Sequence, residues 1–315
     1  MGRQHGQACE ETGMRIVAVC DLDPGREAAA KEDFPAASFH TDYHDLLKVE
    51  GLNLVINILP HNLHASVCID ALNLGKHVVV EKPMCMNVAE ADAMIDAAKA
   101  TNVMLSVFHN RRWDGDYNTI KDLISEGMIG DVFHIEACMG GFHNPGTWWR
   151  SYKEISGGAM FDWGAHIIDW ILQLVPVQVK TVDGYYHKLK WHEVSNEDHT
   201  ELVMRFENGT TAQVEVSYIA AATKPRWRIL GTKGAIVMQG WDRIEVLVDH
   251  EGHIARFDAP IKKSDWNAYY RNIWEHLTQG TDLVVKAEES RRNISIIEAA
   301  EESSKAGHSI VPKHR

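Results

Sequence analysis

The chain has no apolar run near the roughly 18 residues that cross a bilayer, and its start, MGRQHGQACEE, has no apolar signal-peptide core. Neither secretion nor membrane insertion is expected. Positive charge is also scarce: 32 Lys and Arg stand against 44 Asp and Glu, a net charge of −12. Affinity for a phosphate backbone comes from an excess of basic residues, so no nucleic-acid partner is expected. Paired cysteines are missing too. Cys9, Cys20, Cys68, Cys85 and Cys138 are odd in number, widely spaced and without a Cys-x-x-Cys pair. That pattern argues against a disulfide framework and a thiolate zinc site, and for a reducing cytoplasm. There is no HExxH motif, internal repeat, low-complexity tract or linker.

What is present suits a globular protein of two domains, at 315 residues with 45% hydrophobic and 24% charged content. From residue 14, short apolar runs alternate with helical periodicity: MRIVAVCDLD, a helix through Arg26 to Asp33, NLVINILP, a helix over 63–74, KHVVVEKP, a helix over 88–100, then VMLSVF. Buried runs of this length separated by amphipathic helices predict a doubly wound parallel sheet of Rossmann type over residues 1–108. Past residue 109 the runs lengthen and alternate, as in DVFHIEACMGGF, HTELVMRF, TAQVEVSYI and RIEVLVD. Residues 109–315 are therefore expected to form an α+β domain with a large, mostly antiparallel sheet. Helices are expected over 111–127 and 159–174 and in EESRRNISIIEAAEESSKAG, with Asn208-Gly209 turning a hairpin.

A dinucleotide fold opens with a strand, a glycine-rich turn and a helix, then a second strand ending in an acid. Here residues 14–20 read as the second strand and Asp21 as that acid, although a loop acid solvating the Asp23-Pro24 turn is the plainer reading. The opening Met1-Gly2-Arg3 looks like the end of a G-x-G-x-M-G turn, with no first strand ahead of it. The expectation is that the true start lies upstream by about a dozen residues, from strand and turn lengths. As a ribose ligand, Asp21 would accept from the 2′ and 3′ hydroxyls and repel a 2′-phosphate, favouring NAD over NADP.

Two motifs carry chemistry. GKHVVVEKP ends an apolar run in Glu81-Lys82-Pro83, and SGGAMFDWGAH sets Asp162 and His166 four residues apart, after Gly157-Gly158. A lysine at a strand end facing an acid and an imidazole on one helix face is a set for handling protons. Taken singly, each residue is as well read as part of a salt bridge or a helix cap. A metal held by Asp162 and His166, with His109, His143 or Asp169 as third ligand, is not expected.

Together with Pro60, Asn62 and His64 in ILPHNLHASVCIDALNLGKHVVVEKP, and the GTKGAI turn at 231–236, these motifs resemble the Gfo/Idh/MocA family of oxidoreductases, from Met1 to about Gly307. The resemblance implies that Pro60, Asn62 and His64 line the nicotinamide side of a cleft. It puts Glu81 and Lys82 near the reacting carbon and makes Asp162 and His166 complete the site. It also implies a homodimer or homotetramer. His166 is assigned as general base, Lys82 as the group that steadies charge on the substrate oxygen, and Asp162 as orienting the imidazole or binding a neighbouring hydroxyl. The expected reaction is NAD-dependent oxidation of a secondary alcohol of a sugar, polyol or related cyclic compound. An NAD-assisted glycoside hydrolase and a non-catalytic nucleotide sensor are the alternatives from other classes.

In GFHNPGTWWRSYKEISGG, the residues Trp148, Trp149, Arg150, Tyr152 and Lys153 suit a sugar-binding wall, or equally a tryptophan-anchored loop. Trp163 and Trp170 read as core. His109, Arg111 and Arg112 read equally as cleft residues or as a basic surface cluster. The Lys82–Pro83 bond is expected to be cis.

Overall fold

The computed structural model describes residues 1–315. The first half runs α1 (Gly2–Glu11), β1 (Ala18–Cys20), α2 (Glu27–Asp33), β2 (Ser38–His40), α3 (Tyr43–Leu46), β3 (Leu54–Asn57), α4 (His64–Asn73), β4 (His77–Val80), α5 (Val88–Thr101) and β5 (Leu105–Val107). Its strands are parallel, in two pieces: β1 with β2, and β3–β4–β5. No ladder joins β1 to β3. Val78, Val79 and Val80 are fully buried, as befits a central strand covered on both faces. Helix α5 starts with a reciprocal cap, in which the Asn87 side chain accepts from the Glu90 N–H and Glu90 accepts from the Met86 N–H, each at 2.9 Å. Helix α1 had no counterpart in the sequence reading, which began its pattern at residue 14.

The second half runs α6 (Gly115–Ser125), β6 (Val132–Gly140), α7 (Lys153–Ser156), α8 (Trp163–Leu174), β7 (Val179–His187), β8 (His199–Phe206), β9 (Thr211–Ser217), β10 (Trp227–Gly231), β11 (Gly234–Met238), β12 (Ile244–His250), β13 (His253–Ala259), α9 (Ala268–Gln279) and α10 (Ala287–Ala306). One eight-stranded sheet results, ordered β13-β12-β11-β10-β6-β9-β8-β7, with only the β6–β9 pair parallel. Helices α8 and α10 pack against it. The close approach of α10 needs a glycine: a Cβ on Gly184 of β7 would stand 1.9 Å from the Ala300 carbonyl oxygen. At the β8–β9 turn only Gly209 takes a positive φ, 88°, while the Asn208 carboxamide accepts from the Thr210 N–H. The hairpin is thus turned by one left-handed residue rather than two.

A division at residue 108 separates the two small parallel sheets from the eight-stranded one, but not their cores. Helix α9 returns to the parallel half, where Tyr269, Tyr270 and Ile273 pack with Cys9, Val79 and Met104 in one buried cluster. Tyr269 donates to Ser106 and Ser106 donates to the Val285 carbonyl. No helix is long and apolar enough to cross a membrane.

Candidate active site

Lys82 leaves the end of β4 through a cis Lys82–Pro83 peptide, as expected from the sequence. Its Nζ donates to Asp162 Oδ1 at 2.5 Å and to the Asp162 carbonyl at 3.3 Å. An ammonium from the parallel half therefore meets a carboxylate from the antiparallel half. Asp162 is not on the helix face: it is the residue before α8, at φ −86° and ψ −90°. Its carboxylate also accepts from Arg150 NH1 at 3.2 Å. Burial alone would raise its pKa, but Lys82 and Arg150 outweigh burial and bring it down to about 2.

His166 lies on α8, is 7% exposed and lines the same cleft. Its Nδ1 is buried without a partner, so Asp162 does not orient it, contrary to one of the two roles expected of that acid. The reason is electrostatic, since the carboxylate is already held by two cations. Burial, followed by Lys82, Arg111, His109 and Arg150, holds the His166 pKa well below 6.5, so the ring is neutral near pH 7.

Glu81 accepts from the Lys82 backbone N–H at 3.0 Å and meets His5 Nε2 at 3.0 Å, while His5 Nδ1 meets the Tyr270 hydroxyl at 2.5 Å. Burial pushes the Glu81 carboxyl up, but His5 and Lys82 reverse that and leave it lowered. His5 and Tyr270 were missed by the sequence reading, and at a separation of 265 positions no local pattern marks the pair. The cleft encloses about 530 Å³ and draws Glu81, Lys82 and Phe108 from the parallel half, and Arg150, Asp162 and His166 from the other.

Other expected residues are scattered. Asp21 follows β1 and is exposed, with Oδ1 accepting from the Asp23 N–H at 2.9 Å. Gly2 opens α1, whose N-terminus has no side-chain cap and no acid in its first turn. Pro60 precedes a short 3₁₀ turn and is half-buried, Asn62 within that turn is exposed, and neither lines the cleft. His64 is fully buried: its Nδ1 meets the Pro83 carbonyl and its Nε2 the Leu59 carbonyl, both at 2.8 Å. It is a strut between two loops, not a cleft residue. Its neighbour His61 joins the halves by contact with the Ser156 carbonyl at 2.7 Å, and burial pushes its pKa down to about 3.

Of the tryptophan-rich segment only Arg150 lines the cleft, stacked on Trp149 at 4.7 Å and on the exposed Trp148 at 5.4 Å. Tyr152 is half-buried just before α7. Lys153 turns away to Glu197 at 2.5 Å and Glu301 at 2.9 Å, so it forms no part of a wall. Trp170 is core, but Trp163 lines the cleft beneath Arg111, 4.6 Å from its ring. The basic cluster is not on the surface: Arg112 is buried and grips Asp169 with two bonds of 2.8 and 2.6 Å. One three-residue group of possible metal ligands, His199, Glu201 and Glu215, stands on β8 and β9 away from the cleft, where Lys224 already pairs with Glu215 at 2.8 Å.

The uncapped first turn of α1 suits an anionic pyrophosphate, and Asp21 at the end of β1 suits ribose hydroxyls, so these residues fit a dinucleotide. Residues 1–109 match the family model described as "Oxidoreductase family, NAD-binding Rossmann fold", and residues 117–237 match "GFO/IDH/MocA C-terminal domain". Among curated relatives, the scyllo-inositol 2-dehydrogenase (NADP(+)) IolW of Bacillus subtilis is 30% identical over 327 residues, covering 92% of this chain and 87% of that protein. Inositol 2-dehydrogenase of Salmonella typhimurium is 30% identical over 207 residues, covering 65% of this chain and 60% of that protein. The crystal structure of an NAD-binding protein from Listeria innocua superposes with a TM-score of 0.88 at 29% identity, over 99% of this chain and 94% of that one. A levoglucosan dehydrogenase in complex with NADH and levoglucosan shares the fold, with a TM-score of 0.87 at 22% identity, over 100% and 98% of the two chains.

Proposed function

The chain belongs to the Gfo/Idh/MocA oxidoreductase family, and on that premise we propose that it is an NAD-dependent dehydrogenase of a secondary alcohol in a sugar, polyol or related cyclic compound. The observation that carries this reading is the 2.5 Å contact of Lys82 with Asp162 in a cleft that His166 also lines. NAD, when bound, supplies the hydride acceptor. The N-terminus of α1 would hold its pyrophosphate and Asp21 its ribose.

On the protein's side, the neutral His166 takes the hydroxyl proton of the substrate on Nε2. Lys82 donates to the substrate oxygen and offsets the negative charge that develops there, while the carboxylate of Asp162 balances the ammonium in the interval between substrates. Arg150, fixed by Trp149, supplies further donors for substrate hydroxyls. NAD is preferred to NADP because the Asp21 carboxylate repels a 2′-phosphate, although the name of the Bacillus relative specifies NADP(+). By family resemblance the assembly is a homodimer or homotetramer.

The test is a panel of inositols, hexoses and other cyclic polyols, each mixed with the protein and NAD while absorbance at the NADH band is followed. Turnover of at least one polyol, abolished in His166→Ala, is the expected result. Release of an aglycone from a glycoside with no net NADH would replace this reading with the hydrolase.

A further inference from the structure

An imidazole acting as a base toward substrate keeps the right tautomer only if its other nitrogen is fixed by a partner. For His166 that partner is not Asp162, whose carboxylate is engaged by Lys82 and Arg150. The ring that lies edge-on to His166 on the side of the parallel half is His109, with centroids 6.4 Å apart and planes at 80°. His109 follows β5, is 2% exposed, and like His166 keeps a buried Nδ1 without a hydrogen-bond partner. Behind it stands Asp169, three residues after His166 on α8, with Oδ2 4.0 Å from His109 Nδ1. Asp169 is itself locked by the two bonds from Arg112, which Glu289 holds from α10 at 2.8 Å.

A carboxylate only accepts, so Asp169 favours the proton of His109 on Nδ1 and leaves the lone pair on Nε2. We propose that His109 is the positioning residue of His166: its Nε2 accepts the His166 Nδ1–H, by a small ring rotation or through one water, and so keeps the His166 Nε2 lone pair toward the cleft. Arg112, Asp169, His109 and His166 then form one chain of orientation, built from the turn after β5 and from α8. The catalytic meaning of this chain rests on the dehydrogenase reading above; its tautomer does not.

Two measurements test it. Ring ¹⁵N spectra of the full chain near pH 7.5, with His166 assigned by its loss in His166→Gln, are expected to show His166 protonated on Nδ1. In His109→Leu that preference is lost, kcat falls about ten- to a hundredfold as for other removed orienting partners, and KM changes little. His109→Gln, whose carboxamide oxygen accepts in place of the ring, restores most of kcat. A wild-type His166 protonated on Nε2, or a tautomer and kcat unchanged in His109→Leu, overturns the proposal. The wild-type spectrum needs no variant, so a His109→Leu that does not fold leaves the test standing. A chain inert toward every polyol but with the expected tautomer contradicts the dehydrogenase reading and leaves the positioning intact.

Discussion

At the scale of single residues, the site is a balance of charges in a half-dry crevice. On the dehydrogenase reading proposed above, the Lys82–Asp162 pair serves the reaction more than stability, because it would receive a substrate oxygen and its neighbours. Lys82→Ala is expected to lower kcat by roughly 10²–10³, the cost of losing one preorganised donor, with the far-ultraviolet spectrum unchanged. Activity within a factor of two of the parent would remove Lys82 from the mechanism. Asp21 belongs to a different contest: on the proposed reading its carboxylate repels a 2′-phosphate, so Asp21→Ser should shift the NADP-to-NAD ratio of kcat/KM upward by about tenfold or more, on the order of a lost or gained charge contact. The residue types were legible in the sequence. Their partners were not: Lys82, Asp162 and His166 stand out by motif, whereas the bonds of Asp162 to Lys82 and Arg150 rather than to His166 join distant segments that no local pattern pairs. His64 misled for a similar reason, since its motif position marks the loop and not which way the ring turns.

At the scale of elements, what was legible is what periodicity encodes. The valine run of β4, the Asn87 cap of α5 and the alternation of β8 and β9 each state their structure locally. Helix α1 escaped because its buried face is made of His5, Gly6 and Cys9, residues that do not read as an apolar stripe. The docking of α9 on the parallel half was equally silent, since Tyr269 and Tyr270 look like any aromatic pair until Cys9 and Met104 are placed beside them. Element packing also sets a test. Gly184 admits the Ala300 carbonyl where no Cβ fits, so Gly184→Ala must push α10 off β7. A loss of roughly 1–3 kcal/mol is expected, as for other overpacked contacts, read as a lower urea midpoint. An unchanged midpoint would mean that the α10–β7 contact is looser than described.

At the scale of the whole molecule, buried histidines tie stability to pH. Burial lowers His61 to about 3, and it also lowers His109 and His166. An unfolded histidine titrates near 6.5, so below that pH the unfolded chain binds protons that the folded chain refuses. Stability is therefore complete above about pH 6.5 and falls as pH drops beneath it, by up to about 1.4 kcal/mol per pH unit for His61, with His109 and His166 pulling in the same direction. Urea unfolding at pH 7.5 and 5.5 should show a clear drop in midpoint at the lower value; equal midpoints would mean that these rings are protonated in the folded state. The change from parallel strands to one large, mostly antiparallel sheet was readable from the run lengths near residue 109, while the sharing of one core across that boundary was not, because it is a long-range contact. The proposed hydride transfer takes place in the crevice these halves share. It is tested most directly by giving the protein NAD and a polyol carrying deuterium on the carbinol carbon, then examining the dinucleotide by NMR. Deuterium is expected at C4 of the nicotinamide ring, and its transfer is abolished in His166→Ala. Polyol consumed with no deuterium reaching that carbon would contradict it.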